Sequence, residues 1–196
     1  KAVICYGDSI TSQDWPDYLM MLLKKNNVNN LSIIRKAASG TRILKEYSCI
    51  TYESYGVCGK NRIPRELNVT GAKYIIIQQG INDIIHPVGL DVNKFRPMED
   101  LPTLNELIEG MNYYIKESKK KELEVFIGTL LPIYGWRTYE DFREEMKNGF
   151  NDWIRYKLDK KHVIDFHKAL EDENDNRKFK KGYDSGDHLH PSIDAY

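Results

Sequence analysis

Short apolar runs alternate along this chain with stretches whose apolar residues recur every three or four positions, the pattern of strands separated by amphipathic helices. Strands are predicted at residues 2–6, 31–35, 74–78, 124–129 and 163–166. The runs Tyr74-Ile75-Ile76-Ile77 and Val125-Phe126-Ile127 lack polar alternation, as expected of central strands buried on both faces of a parallel sheet. Helical stripes fill the gaps. Leu19, Leu22 and Leu23 follow Pro16, and Thr103-x-x-Glu106 forms a capping box ahead of Leu104, Leu107, Ile108, Met111 and Ile115. Thr138-x-x-Asp141 is expected to cap a further helix whose buried stripe is Phe142, Met146, Phe150, Trp153, Ile154 and Leu158.

Strand–helix alternation of this kind predicts one α/β domain spanning residues 1–196, with helices on both faces of the sheet. Two connections, residues 36–73 and 86–102, exceed what packing needs and are candidates for binding-site rims. A short helix is expected near residues 62–67 in the first. Ser192 is a good helix cap with almost no helix after it, so the natural protein is expected to continue into a C-terminal helix covering one sheet face.

Composition narrows the function classes. The 29 basic and 29 acidic residues cancel, leaving no footprint for nucleic acid and little for anionic lipid. No apolar stretch is long enough to span a bilayer. Nothing at the N-terminus reads as a signal peptide, which favours a cytoplasmic protein over one secreted after loss of a leader. The three cysteines do not make a disulfide scaffold; Cys5 belongs to a buried strand, and Cys49 and Cys58 are expected as unpaired thiols rather than a bridge. Oligomeric state leaves no mark on the sequence.

The candidate chemistry lies at strand ends. Gly7-Asp8-Ser9 ends the first strand, placing a hydroxyl where parallel sheets bind ligands. Ser9 needs a base to become a nucleophile, and Ser12 is a nearby rival. Close to the other end, Asp187 precedes His190 by three residues, a spacing that lets the carboxylate fix the imidazole tautomer. His188, next to Asp187, is expected to point elsewhere. A metal site built from Asp184, Asp187, His188 and His190 is the alternative reading of this tract, ranked below a cofactor-free and metal-free triad. His86, His162 and His167 read as structural or solvent-exposed. Ser39-Gly40 and Gly80-Ile81-Asn82-Asp83 follow the second and third strands. The N–H groups of Ser9 and Gly40 and the amide of Asn82 are therefore candidate donors to an oxyanion. Trp15, Tyr134 and Trp136 are candidate substrate-binding aromatics, with packing as the competing role.

Taken in order, Gly7-Asp8-Ser9, Ser39-Gly40, Gly80-x-Asn82-Asp83 and Asp187-x-x-His190 resemble the four sequence blocks of the GDSL-type esterases, or SGNH hydrolases. Tyr183–Pro191 and Trp15-Pro16 look like the branch of bacterial xylan-associated acetyl esterases. The resemblance implies a three-layer, flavodoxin-like α/β/α sandwich with a five-stranded parallel sheet in the order 2-1-3-4-5. It implies Ser9 as nucleophile, His190 as base, Asp187 as its orienting acid, and Ser9, Gly40 and Asn82 as oxyanion donors. The stretch Lys36-Ala37-Ala38-Ser39-Gly40 departs from the family, which commonly carries an asparagine and another glycine before this point. The function so implied is hydrolysis of short-chain, acetyl-type esters, with carbohydrate a candidate alcohol, through an acyl-serine. A lysophospholipase or acyl-thioesterase is the alternative enzyme, and a catalytically silent carbohydrate-binding domain is the alternative of another class.

Overall fold

The computed structural model describes residues 1–46 and 56–196. Its centre is a parallel sheet of β1 (Ala2–Gly7), β2 (Ser32–Ala37), β3 (Ala72–Gln78), β4 (Glu124–Gly128) and β5 (Val163–Ile164). The strand order is β2-β1-β3-β4-β5, so β1 is flanked on both sides, with Ile4 opposite Ile34 and Ile75. Every residue of β1 is buried, as an apolar run in the middle of a covered sheet requires.

Helices α1 (Ser9–Ser12), α2 (Trp15–Lys25), α3 (Gly59–Glu66), α4 (Ile81–Ile85), α5 (Leu104–Lys120), α6 (Asp141–Lys157) and α7 (Phe166–Leu170) make the outer layers of an α/β/α sandwich. One sheet face carries the main core. Tyr6, Ile75, Ile77 and Ile127 pack there with Leu107, Met111 and Tyr114 of α5 and with Phe150 and Ile154 of α6. The capping box forms as expected, with the Thr103 hydroxyl receiving the Glu106 N–H and the Glu106 carboxylate receiving that of Thr103.

Two local expectations for α6 are corrected. The α6 cap is not Thr138, whose hydroxyl donates to the Ile85 carbonyl; Glu140 occupies the cap position without a side-chain bond. The buried face of α6 is also more polar than its apolar stripe implies. Phe142 is exposed, while Arg143, Glu144, Lys147 and Asn151 are buried beside Phe150 and Ile154. This helix covers irregular backbone leaving β3 and β4, whose polar groups need partners. Arg143 donates to the Ile84 and Pro87 carbonyls, and Asn151 bonds both backbone groups of Leu130.

The other sheet face is covered less fully. Leu22, expected to lie on an apolar face of α2, is 51 % exposed. An apolar hollow of about 290 Å³ opens between α2, α7 and the chain end, lined by Trp15, Leu19, Ile76, Leu131, Phe166 and Tyr196 among others. Strand β5 stops at Ile164 because Asp165 caps α7, accepting the Lys168 N–H at 3.1 Å. The question of a Cys49–Cys58 pair lies outside the described residues; Cys5 and Cys58 are buried. No helix among the described residues is long and apolar enough to cross a membrane.

Candidate active site

Ser9 is the first residue of α1, immediately beyond the carboxyl end of β1. Asp8 turns the chain by accepting the Ile10 N–H at 3.1 Å. The role of Gly7 is close approach. A Cβ there would lie 2.2 Å from Thr11 Oγ1 and 2.3 Å from the Gln78 carbonyl, so only glycine lets α1 sit this tightly on the sheet.

The last loop returns to this point. His190 Nε2 lies 2.8 Å from Ser9 Oγ, and His190 Nδ1 lies 2.6 Å from Asp187 Oδ2. A carboxylate only accepts, so the proton between Asp187 and the imidazole resides on Nδ1, and Nε2 presents its lone pair to the serine hydroxyl. The other Asp187 oxygen receives the backbone N–H groups of Leu189 and His190 at 3.0 and 2.8 Å. Burial raises the Asp187 pKa, yet the donors from His190 and Leu189 outweigh it and bring the group below the ordinary carboxylate range. Ser12 does not compete for the base. Its hydroxyl donates to the Ser9 carbonyl at 2.9 Å and lies 3.2 Å from Ser39 Oγ.

The strand-end donors are fixed by a buried polar lattice. Asp83 Oδ2 and Oδ1 receive the N–H groups of Ile43 and Leu44, tying the segment after β2 to α4. Asn82 is buried and gives one amide hydrogen to the Thr41 carbonyl at 3.1 Å; among the described residues its second hydrogen has no acceptor. Gly40 takes a left-handed φ of 73°, and among the described residues neither its N–H nor that of Ser9 has an acceptor. Thr41 escaped the sequence reading altogether, although its hydroxyl receives Gln79 Nε2 at 2.9 Å and Arg62 at 3.1 Å. Nothing local in the sequence marks these partners, which lie 38 and 21 positions away.

Two acids beneath this lattice are perturbed. Burial pushes Asp8 up to about 7, with the nearby Asp83 charge adding to the shift. Burial likewise pushes Asp83 up to about 6 against its backbone donors. Among the histidines, His167 has both ring nitrogens near carbonyls, of Leu130 and Asn176, and burial lowers it to about 4. His86 is also buried and lowered to about 3, by burial and then by Arg96, Arg42 and Arg137. His162 lies 3.3 Å from Glu124, away from the site at the amino end of β4.

Each aromatic candidate has its own packing partners. Trp15 lines the apolar hollow beside Phe166, at a ring separation of 5.7 Å. Tyr134 carries the Arg177 guanidinium 4.4 Å and the Lys178 ammonium 4.9 Å from its ring centre. Trp136 packs against the core with Arg137 over its ring at 4.6 Å. Among the described residues no three His, Cys, Asp or Glu side chains are grouped to hold a metal ion. The four residues of the alternative metal reading form two separate carboxylate–imidazole pairs, Asp187 with His190 and Asp184 with His188.

A family model described as GDSL-like Lipase/Acylhydrolase matches residues 5–196. No curated protein matches the chain. Among solved structures, a variant of Axe2, an acetyl xylan esterase from Geobacillus stearothermophilus, superposes with a TM-score of 0.70 at 17% identity, covering 100% of this chain and 88% of that one. A putative acylhydrolase from Bacteroides fragilis gives 0.69 at 16% identity, covering 100% and 81%. The acetyl xylan esterase AlAXEase gives 0.67 at 18% identity, covering 98% and 92%.

Proposed function

The chain belongs to the GDSL-like lipase/acylhydrolase family, and from that premise we propose that it is a serine esterase removing acetyl groups from hydroxyl-rich, carbohydrate-type alcohols. The observation carrying this reading is the single line of contacts Asp187–His190–Ser9, with separations of 2.6 and 2.8 Å. In the first half-reaction His190 Nε2 takes the Ser9 proton as Oγ bonds to the ester carbonyl carbon. The negative oxygen of the tetrahedral intermediate is received by the Ser9 and Gly40 N–H groups and the second hydrogen of Asn82 Nδ2. Collapse breaks the bond to the alcohol oxygen, which leaves with the proton from His190. Water then attacks the acyl-serine with His190 again as base, releasing the acid and restoring Ser9. Asp187 holds the tautomer throughout and stabilises the imidazolium.

Preorganisation supports the mechanism. Asp83 and Thr41 fix the donor-bearing segments before any substrate arrives, so little reorganisation is charged to the transition state. The acetyl preference draws on the acetyl xylan esterases among the similar structures. The test is hydrolysis of acetylated xylo-oligosaccharides against long-chain acyl esters. Preference for the long chains contradicts the substrate assignment.

A further inference from the structure

Beside the catalytic pair stands a second aspartate–histidine pair to which the mechanism gives no task. Asp184 Oδ2 lies 2.5 Å from His188 Nδ1, and Asp184 Oδ1 receives the N–H groups of Gly186 and His188 at 2.8 and 3.0 Å. The arrangement repeats that of Asp187 and His190, carboxylate on Nδ1 and loop N–H groups on the other oxygen, with the aspartate three and the histidine two residues earlier on the same loop. His188 holds it in a left-handed conformation, φ 63°, which side-chained residues rarely adopt.

The ring is placed as well as oriented. It lies over Gly135, in the loop leaving β4, where a Cβ would come within 2.8 Å of His188 Cγ. Glycine on one loop therefore makes room for the imidazole on the other. His188 is nonetheless half open to solvent, its side chain 51% exposed. Among the described residues its Nε2 has no protein partner, unlike His167, whose two nitrogens both meet carbonyls. A tautomer fixed by a carboxylate, with the opposite nitrogen presented to solvent two residues from the base, is a preformed acceptor for a hydroxyl.

We propose that His188, oriented by Asp184 and seated on Gly135, is a substrate-recognition residue whose Nε2 receives a hydroxyl of the alcohol half of the ester. Its ligand class is the polyhydroxylated alcohol, a sugar or polyol carrying the acetyl group. The inference rests on the esterase reading above and adds to it the group that selects hydroxyl-rich alcohols. Asp184 is a positioning residue acting through His188.

The experiment compares kcat/KM for an acetylated xylo-oligosaccharide with that for phenyl acetate, whose leaving group has no further hydroxyl. The proteins are the wild type, His188→Gly, Asp184→Asn and Ser9→Ala. Glycine accepts the left-handed backbone, so His188→Gly removes the ring and keeps the turn. Loss of one hydrogen bond to a neutral hydroxyl should lower the sugar-to-aryl ratio up to about tenfold, through KM for the sugar ester. Asp184→Asn should lower it in the same direction by less. A ratio equal to the wild type's in His188→Gly, or a proportional loss on both esters, overturns the proposal and assigns His188 to loop structure. So does a wild type that turns over phenyl acetate but not the sugar ester. In both cases sensitivity of aryl hydrolysis to Ser9→Ala keeps the esterase reading standing. A wild type inactive on both esters brings down that reading and this one together.

Discussion

Asp83 Oδ2 accepts the backbone N–H of Ile43 at 2.7 Å, joining residues 40 positions apart across the mouth of the sheet. Its other oxygen takes the neighbouring Leu44 N–H, so this carboxylate, with the bonds of Thr41 to Asn82, Gln79 and Arg62, holds the segment carrying Gly40 and Thr41. Burial costs the charge something, as its raised pKa shows, and the two N–H donors are what keep it in place.

Replacing Asp83 by alanine strands both N–H groups in a buried site. Each unsatisfied donor costs about 1–3 kcal/mol, so urea denaturation should show a loss of several kcal/mol. Activity on phenyl acetate should fall further than stability alone explains, because Gly40 and Asn82 lose their registration. A fully active Asp83→Ala enzyme would show that the donors hold their positions without it.

Gly7 is a steric requirement. In Gly7→Ala the new methyl meets the Gln78 carbonyl at 2.3 Å, an atom of the sheet backbone that cannot yield. Helix α1 must lift, at a cost of about 1–3 kcal/mol, and Ser9 moves with it. The expected result is a lower melting temperature and a drop in kcat of at least about tenfold, since a misplacement near 1 Å costs on the order of a hundredfold. Wild-type kinetics in this variant would refute the packing argument.

Asp8 supplies a pH signature. Its folded pKa, pushed up to about 7 from 3.8, means the native state binds more protons than the unfolded chain between these values. Stability from this group is fully present below pH 3.8, and it is lost as pH rises through 7. Asp8→Asn keeps the acceptor for the Ile10 N–H and removes the charge. The variant should therefore lose less stability than the wild type between pH 5 and pH 8 in parallel urea titrations, whatever the baseline. Parallel curves would show that Asp8 titrates normally.

Asp187→Asn should fold as the wild type does yet lose about 10³–10⁴ in kcat. An amide can donate to Nδ1 and stabilise the wrong tautomer, turning the lone pair away from Ser9. A crystal structure or circular dichroism spectrum checks the fold, and steady-state kinetics check the loss. A fall of less than tenfold would mean that Asp187 does not orient the base.

Much of the architecture is written in local sequence because strands and caps are local devices. The β1 run Ala2–Gly7 has no polar break, and the Thr103–Glu106 reciprocity needs only a three-residue spacing. The residues at strand ends were likewise open to inspection, since a parallel sheet sends every strand terminus to one edge. What escaped depends on distant partners. The polar buried face of α6 answers carbonyls at Ile84 and Pro87, and Asp165 stops β5 by capping a helix that begins at the next residue. Leu22 is exposed because nothing among the described residues covers that part of α2. The Asp184–His188 pair was hidden for a conformational reason. The two meet across a four-residue spacing in a loop where His188 adopts a left-handed φ, which no composition rule anticipates.

The most direct measurement is the reaction of the purified protein with an organophosphate, followed by intact-mass and peptide mapping, alongside phenyl acetate hydrolysis by wild type and Ser9→Ala. The account predicts one phosphoryl adduct, on Ser9, with loss of activity in proportion to labelling, and a folded Ser9→Ala variant that neither labels nor hydrolyses. Labelling at another residue, or hydrolysis by Ser9→Ala at the wild-type rate, would contradict it.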